Sequence, residues 1–116
     1  SLEAIEKYKV EVTEEAKFHY FEVLEYFYAY SSEESASKKA EELDKLVDSL
    51  KTFPERGSIE IALQHLRKEH RYLLYASTSR NIIKIIYFVD KTKNTVYVTD
   101  FFPTQMDKEK VQNRNS

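Results

Sequence analysis

Polar and apolar residues alternate at the start of the chain and then change to a helical period. Residues 7–12 read Lys-Tyr-Lys-Val-Glu-Val, an alternation typical of a half-buried strand. Thr13 then offers an N-cap hydroxyl, and Glu14 and Glu15 follow in the first turn, where the helix dipole favours anions. Further apolar residues share one helical face: Ala16, Tyr20, Val23, Leu24 and Phe27, widened by Phe21 and Tyr28. The pattern therefore predicts a strand and then a helix that ends near Tyr30.

A second helical stripe follows after a very short join. Ser31 and Glu34 have the spacing of a capping box, which predicts a helix N-terminus at this point. The buried stripe of the second helix, which is predicted to end near Phe53-Pro54, consists of Ala36, Ala40, Leu43, Val47 and Leu50. Because the join is so short, the two helices are predicted to form an antiparallel hairpin. Packing between the helices is the simpler interpretation of Tyr26, Tyr28 and Tyr30, and an aromatic contact patch is the alternative.

Strand signals dominate the second half of the chain. The turn at residues 54–57 contains the only glycine, Gly57, so a positive φ is predicted there. Residues 58–70 fit both a strand and a helical turn, and this alternative stays open. Segments rich in β-branched and aromatic residues then predict three strands, at 71–78, 82–89 and 95–102. The middle one is apolar on both faces except for Lys84, which predicts the central strand of the sheet.

These elements give an α+β fold of the order β-α-α-β-β-β, with a helical hairpin packed on one face of an antiparallel sheet. Two helices cover only one face of such a sheet. The other face, predicted to carry Ile82, Lys84, Ile86 and Phe88, is left open. An exposed apolar surface of this kind marks a partner site.

The length of 116 residues fits a single domain, which we place at residues 7–107. Residues 1–6 are expected to form an N-terminal extension, in which Ser1-Leu2 is interpreted as a remnant of expression, and residues 108–116 a polar tail. The sequence has no apolar run long enough to span a membrane and no signal-peptide pattern, so a cytoplasmic protein without a membrane partner is predicted.

Composition narrows the chemistry. The chain has no cysteine, and its three histidines show no ligand spacing, so neither a metal nor a cofactor is expected. Residues 1–55 hold 14 acidic and 7 basic side chains, whereas residues 56–116 hold 6 acidic and 11 basic ones. The second half could therefore present a positive surface to an anionic partner. Solvated helices and protective lysines at strand edges explain the same asymmetry equally well.

Several segments together resemble the RelE/ParE toxin superfamily, known also as plasmid stabilisation system proteins, over about residues 7–107. The segments that carry the resemblance are Tyr8-Lys9-Val10 leading through Thr13 to Ala16, the hairpin with Tyr30 near its bend, Pro54-x-x-Gly57, and Arg71-Tyr72-Leu73-Leu74-Tyr75 followed by Ile83-x-Ile85-Ile86. The order and spacing of these segments are more specific than any one of them. The fold of the family is the β-α-α-β-β-β order that the hydrophobic pattern predicts independently.

The resemblance implies the toxin of a type II toxin–antitoxin system. ParE-like members inhibit DNA gyrase by binding, whereas RelE-like members cut mRNA on the ribosome and so inhibit translation. RelE-like cleavage uses Arg and Lys on the last three strands and a Tyr or His after the last one. An antitoxin that covers the open sheet face neutralises both kinds.

The residues of this chain favour the ParE-like activity. Tyr72 occupies the position where many members have Arg, and no basic residue follows the last strand before Lys108. The weak catalytic candidates that remain are Arg67, Lys68, Arg71, Arg80 and Lys84, with His65 and His70 as proton carriers. For each candidate, a solvated charge is at least as good an interpretation.

We therefore predict a toxin that binds a target protein such as DNA gyrase and pairs with a cognate antitoxin. The alternatives are a ribosome-dependent mRNA endoribonuclease and a degenerate module that only binds the antitoxin and regulates its operon. A homodimer also stays open. The antitoxin is predicted to contact Lys84, Ile86, Phe88 and Tyr75, with Leu74 replacing Tyr75 if the strand register differs. Asp100, in an apolar strand end, is expected to bond backbone amides or to pair with Arg71 or Arg80.

Overall fold

The computed structural model describes residue 5 and residues 7–104. The predicted tail at 108–116 and most of the predicted extension at 1–6 lie outside these residues. The helices and strands are β1 (Lys9–Val12), α1 (Glu14–Tyr30), α2 (Glu33–Asp48), β2 (Ser58–Ile59), β3 (His70–Ala76), β4 (Ile82–Asp90) and β5 (Thr95–Pro103). Single 3₁₀ turns at Ser49–Lys51 and Ile61–Leu63 complete the secondary structure.

The five strands form one mixed sheet of the order β1-β5-β4-β3-β2. β2 to β5 pair antiparallel, and β4 lies at the centre between β3 and β5, as predicted. The expected α+β class with two helices on one face of a sheet is confirmed. One pairing differs from the predicted antiparallel sheet, because β1 runs parallel to β5, with Lys9 opposite Thr95. The two-helix crossover carries the chain from β1 at one edge of the sheet to β2 at the other, and the antiparallel strands then return to place β5 beside β1.

The helix starts follow from side-chain caps. The Thr13 hydroxyl accepts a hydrogen bond from the Ala16 backbone N–H at 3.2 Å, as the sequence predicts. At α2 the cap is Ser32, whose hydroxyl accepts from the Ser35 N–H at 3.1 Å, so the predicted cap at Ser31 is wrong by one residue. Ser31 instead ends α1 in an extended conformation. Two adjacent serines offered the same signal, and the geometry of the hairpin bend selects the second.

The main core lies between the helices and one sheet face. It joins Ala16, Val23 and Phe27 of α1 and Ala36 and Leu43 of α2 to the strand residues Leu73, Tyr75, Ile83, Ile85, Tyr87, Val96, Val98 and Phe101. Phe21 and Tyr28, which were expected to widen the buried stripe of α1, are exposed instead. They point away from the sheet because they lie on the far side of the helix from Val23 and Phe27.

The opposite face of the sheet, called here the second sheet face, is partly covered by the chain itself. Residues 60–69 cross it, and Ala62 and Leu63 of the 3₁₀ turn pack with Ile86 and Phe102 in a smaller core. The expectation that this face is open around Ile86 is therefore wrong. The ambiguity of residues 58–70 has the same origin, since this segment is neither a full strand nor a helix but a short strand followed by a covering turn.

Gly57 has no positive φ, contrary to the prediction. Its role is spatial: a Cβ at this position would lie 2.6 Å from the Tyr72 carbonyl oxygen and 2.6 Å from the Tyr87 hydroxyl oxygen. A glycine is needed here because the loop after α2 passes too close to β3 and β4 for any side chain.

Candidate binding face

The register of β3 against β4 decides which predicted site residues share a face. Lys84 lies opposite Leu74, and Phe88 lies opposite His70, all on the second sheet face. Tyr75 pairs with Ile83 and packs under the helices, where its ring lies 6.3 Å from that of Phe27. The placement of Tyr75 with Lys84 is therefore wrong, and Leu74, which is 52% exposed, takes its position on the second sheet face.

Tyr75 is instead a structural contact between sheet and helix. Its hydroxyl donates a hydrogen bond to the Glu42 carboxylate of α2 at 2.8 Å. Burial, with a further contribution from this carboxylate, raises the pKa of Tyr75 well above its ordinary value. The phenol therefore stays protonated, and it ties α2 to β3.

Lys84 neutralises a buried carboxylate. Its Nζ lies 2.7 Å from Glu60 Oε2, and Glu60 is only 4% exposed. The same ammonium sits 4.3 Å from the centre of the Tyr72 ring. A buried carboxylate needs a paired cation, so Lys84 has a role in holding the 60–69 segment on the sheet whatever else it contacts.

Phe88 belongs to an aromatic group at the other end of the same face. Its ring stacks on Tyr97 at 5.2 Å and meets His70 edge-on at 5.3 Å. The Lys68 ammonium lies 4.3 Å above the Phe88 ring, a cation–π distance. The group presents π faces and a cation close to the surface, which suits a partner segment with apolar and acidic residues.

His70 is held neutral in this group. Its Nδ1–H donates to the Lys68 carbonyl at 2.9 Å. Burial is the largest influence and lowers the pKa of His70 below its ordinary value of 6.5, although the backbone hydrogen bond opposes the shift. A buried neutral imidazole of this kind is a packing residue first, and protonation would disturb the contacts around it.

The cleavage candidates do not all converge on one point. Arg71 belongs to the helix side of β3 and donates to the Gly57 carbonyl at 2.8 Å and to Glu69 at 3.0 Å, whereas Lys84 lies on the second sheet face. Arg80 is in the turn between β3 and β4, about 20 Å along the hairpin from His70 at the usual rise per strand residue. Arg67, Lys68 and His65 are exposed on the covering segment before His70, and Arg71, the residue after His70, lines a pocket together with Lys68.

Two features of α1 were not found from the sequence. The first is a buried pair in which His19 Nδ1 lies 2.8 Å from Asp100 Oδ1, with Asp100 only 1% exposed. Arg71, one of the two arginines predicted to pair with Asp100, instead donates a hydrogen bond to the Gly57 carbonyl. A pocket of 310 Å³ adjoins this pair and is lined by His19, Glu22, Val23, Tyr26, Phe27, Ser77, Asn81, Ile83, Phe101 and Pro103. An acidic residue in an apolar strand end was the only signal for this site.

The second feature is a row of exposed aromatic rings on α1. Tyr26, Tyr28 and Tyr30 are 44%, 49% and 77% exposed, so the interpretation of these tyrosines as helix–helix packing is wrong. Phe18 and Phe21 are exposed as well. Periodicity does not reveal this, because α1 is apolar on two of its faces.

Within the part of the chain that the structure describes, no helix is long and apolar enough to cross a membrane. The same residues contain no cluster of His, Asp and Glu suited to a metal ion.

The α+β fold of these elements is also found in a solved structure. A chain of a solved structure, described as the chromosomal ParDE TA system from P. aeruginosa, superimposes with a TM-score of 0.63 over 85% of this chain and 98% of that chain. The two sequences are 12% identical, so the likeness concerns the fold. No protein-family model matches the chain, and no curated protein sequence matches it significantly.

Proposed function

We infer that this chain is the toxin of a toxin–antitoxin pair, that it is cytoplasmic, and that it inhibits a target protein such as DNA gyrase by binding. The observation that carries this proposal is the shared fold with a ParDE system chain across 85% of the molecule. The sequence resemblance over residues 7–107 points to the same class independently.

The arrangement of charges favours binding over RNA cleavage. Cleavage needs cations and a proton carrier gathered at one phosphate. Here Arg71 and Lys84 belong to opposite faces of the sheet, and each is engaged by a carboxylate of this chain. His70 is buried and its Nδ1–H is bonded to the Lys68 carbonyl, so it is poorly placed to exchange a proton with a bound RNA.

The second sheet face supports the antitoxin part of the proposal. Leu74 and Phe88 lie on this face, with Lys84 opposite Leu74. The Lys68 ammonium lies over the Phe88 ring, and Arg67 is exposed on the same covering segment. Ile86 is fully buried and supports this face indirectly, because it packs against Leu63 of the covering segment. Lys84 is already paired with Glu60, so an acidic antitoxin segment is expected to meet Lys68 and Arg67 first.

Inducible expression followed by separate assays of DNA supercoiling and translation tests the proposal. We expect growth arrest with DNA damage signalling, and relief of the arrest when the neighbouring gene is co-expressed. Cleavage of ribosome-bound mRNA that disappears in Arg71→Ala and persists in Arg67→Ala would establish the endoribonuclease instead. Expression without any growth effect, together with antitoxin binding, would establish the regulatory module.

A further inference from the structure

The outer side of α1 carries an apolar stripe that the fold does not use. Phe18, Phe21 and Tyr28 are 64%, 59% and 49% exposed, although the same helix already buries Ala16, Val23 and Phe27 against the sheet. Large aromatic rings left in water at this density are unusual on a small domain and mark an interaction surface.

The stripe has the spacing of a coiled-coil seam. Its positions are Phe18, Phe21, Glu25 and Tyr28, separated by three, four and three residues, as in the a and d positions of a heptad. Along the helix the stripe spans about 15 Å at the usual rise per residue. A helix laid against it would therefore contact all four side chains over about three turns.

A groove beside the stripe gives a docked helix a place for its side chains. The groove has a volume of 360 Å³, and its lining is largely apolar. It runs from Phe21 between α1 and α2, where Tyr20 and Val47 form its walls. A flat row of rings would bind weakly, whereas a row beside a groove can hold an aliphatic anchor.

The charges around the stripe are acidic. Glu14, Glu15, Glu22 and Glu25 lie on the exposed sides of α1, and the nearby cation Lys17 is paired with Glu14 at 3.0 Å. We propose that the stripe binds an amphipathic helix of a partner protein, with apolar residues at heptad spacing and Lys or Arg opposite Glu22 and Glu25.

A second copy of this chain fits the stripe poorly. A two-fold antiparallel pair of α1 helices would place Glu25 of each copy against Phe21 of the other. Each contact would then bury a carboxylate against an aromatic ring, and the stripe supplies no free cation to pair with it. A basic partner helix removes this penalty.

The proposal goes beyond the function inferred for the sheet. The second sheet face is suited to an acidic segment, whereas the α1 stripe is suited to a basic helix, so one chain can hold both at once on opposite sides. Failure of antitoxin binding at Phe88 would leave the α1 inference intact, and the reverse also holds.

Two synthetic helical peptides of opposite charge test the inference. Both carry Leu at the a and d positions, and one has Lys where the other has Glu at the flanking positions. Fluorescence anisotropy with the full chain should show binding of the Lys peptide and at least about tenfold weaker binding of the Glu peptide. The double variant Phe18→Ser, Phe21→Ser should weaken binding of the Lys peptide about tenfold or more. The control Phe53→Ser removes an exposed ring outside the stripe and should change nothing.

The charge-reversed variant Glu22→Lys, Glu25→Lys should exchange the preference of the chain for the two peptides. Equal binding of both peptides, or binding that survives the loss of Phe18 and Phe21, would overturn the inference. Sedimentation measurements test whether a second copy of this chain occupies the stripe instead. A dimer that is dissociated by Phe21→Ser but not by Phe53→Ser would mean that the stripe joins two copies of this chain.

Discussion

The backbone N–H of Gly57 donates a hydrogen bond to the hydroxyl of Tyr87, 2.9 Å away in the buried side of β4. The Gly57 carbonyl in turn accepts from Arg71 at 2.8 Å. Burial raises the pKa of Tyr87, so its hydroxyl stays protonated. These contacts fasten the loop after α2 to the centre of the sheet, and they fix where the covering segment at residues 60–69 begins.

The variant Gly57→Ala should destabilise the domain by about 1–3 kcal/mol. The added methyl group would meet the Tyr72 carbonyl and the Tyr87 hydroxyl at 2.6 Å, and a strand backbone cannot move aside cheaply. Urea denaturation compared with the exposed neighbour variant Ser58→Ala measures the effect. Equal midpoints for the two variants would show that the loop accommodates a side chain.

Replacing Ile86 by Asp should prevent folding. Ile86 is fully buried, its strand is paired on both sides, and Ala62 and Leu63 cover it. An unpaired buried carboxylate costs several kcal/mol against a total stability of about 5–15 kcal/mol. Ile86→Val, which should cost about 1 kcal/mol, is the matched control. A soluble Ile86→Asp variant with the wild-type melting temperature would contradict the burial of this residue.

Stability should fall as the solution is acidified through the range just below pH 6.5. The pKa of His70 is lowered in the folded state, so as the pH falls the unfolded chain takes up a proton before the folded chain does. Protonation therefore stabilises the unfolded state relative to the folded state. The contribution of His70 is complete above its ordinary pKa of 6.5 and is lost as the pH falls towards the folded value. Denaturation midpoints measured across this range should slope less in His70→Gln. The exposed His65→Gln variant should keep the wild-type slope, and an unchanged slope in both would refute the assignment to His70.

Binding of the proposed antitoxin should depend on the second sheet face. Phe88→Ser and Leu74→Ser each remove an apolar contact from that face, and each should weaken capture by the neighbouring gene product about tenfold or more. Lys84 is a poorer test position because its loss would leave the buried Glu60 carboxylate without a cation. A co-expression pull-down with Phe53→Ser as the control gives the comparison. If both variants have unchanged melting temperatures and are captured as efficiently as the wild type, the antitoxin binds elsewhere.

The helices and the three long strands could be predicted because their hydrophobic periods are clear. The sheet face on which each β3 residue lies could not be predicted. Leu73, Leu74 and Tyr75 are consecutive apolar residues, so alternation alone does not assign them to one face or the other. Pairing of His70 with Phe88 settles the register and turns Tyr75 towards the helices. The shared face of Lys84 and Phe88 could be predicted, because a polar residue interrupts the apolar run of β4.

The segment that covers Ile86 could not be predicted from the sequence for a different reason. The apolar residues of the segment at 58–70 fit both a strand and a helical turn, so the pattern does not show that Ala62 and Leu63 cover Ile86 of the central strand. Likewise, the contact between His19 and Asp100 joins residues far apart in the sequence, and no local pattern reports such a pair. Both features depend on tertiary packing.

The parallel pairing of β1 with β5 has a consequence for synthesis on the ribosome. Lys9 emerges early, but the strand that hydrogen-bonds to it begins only at Thr95. Closing so long a loop carries an entropic cost and slows folding. Tyr97 and Phe102, which complete the second sheet face, belong to the same late strand. A nascent chain therefore cannot complete that face before β5 is made, so a partner that needs the whole face can bind only after translation of the domain.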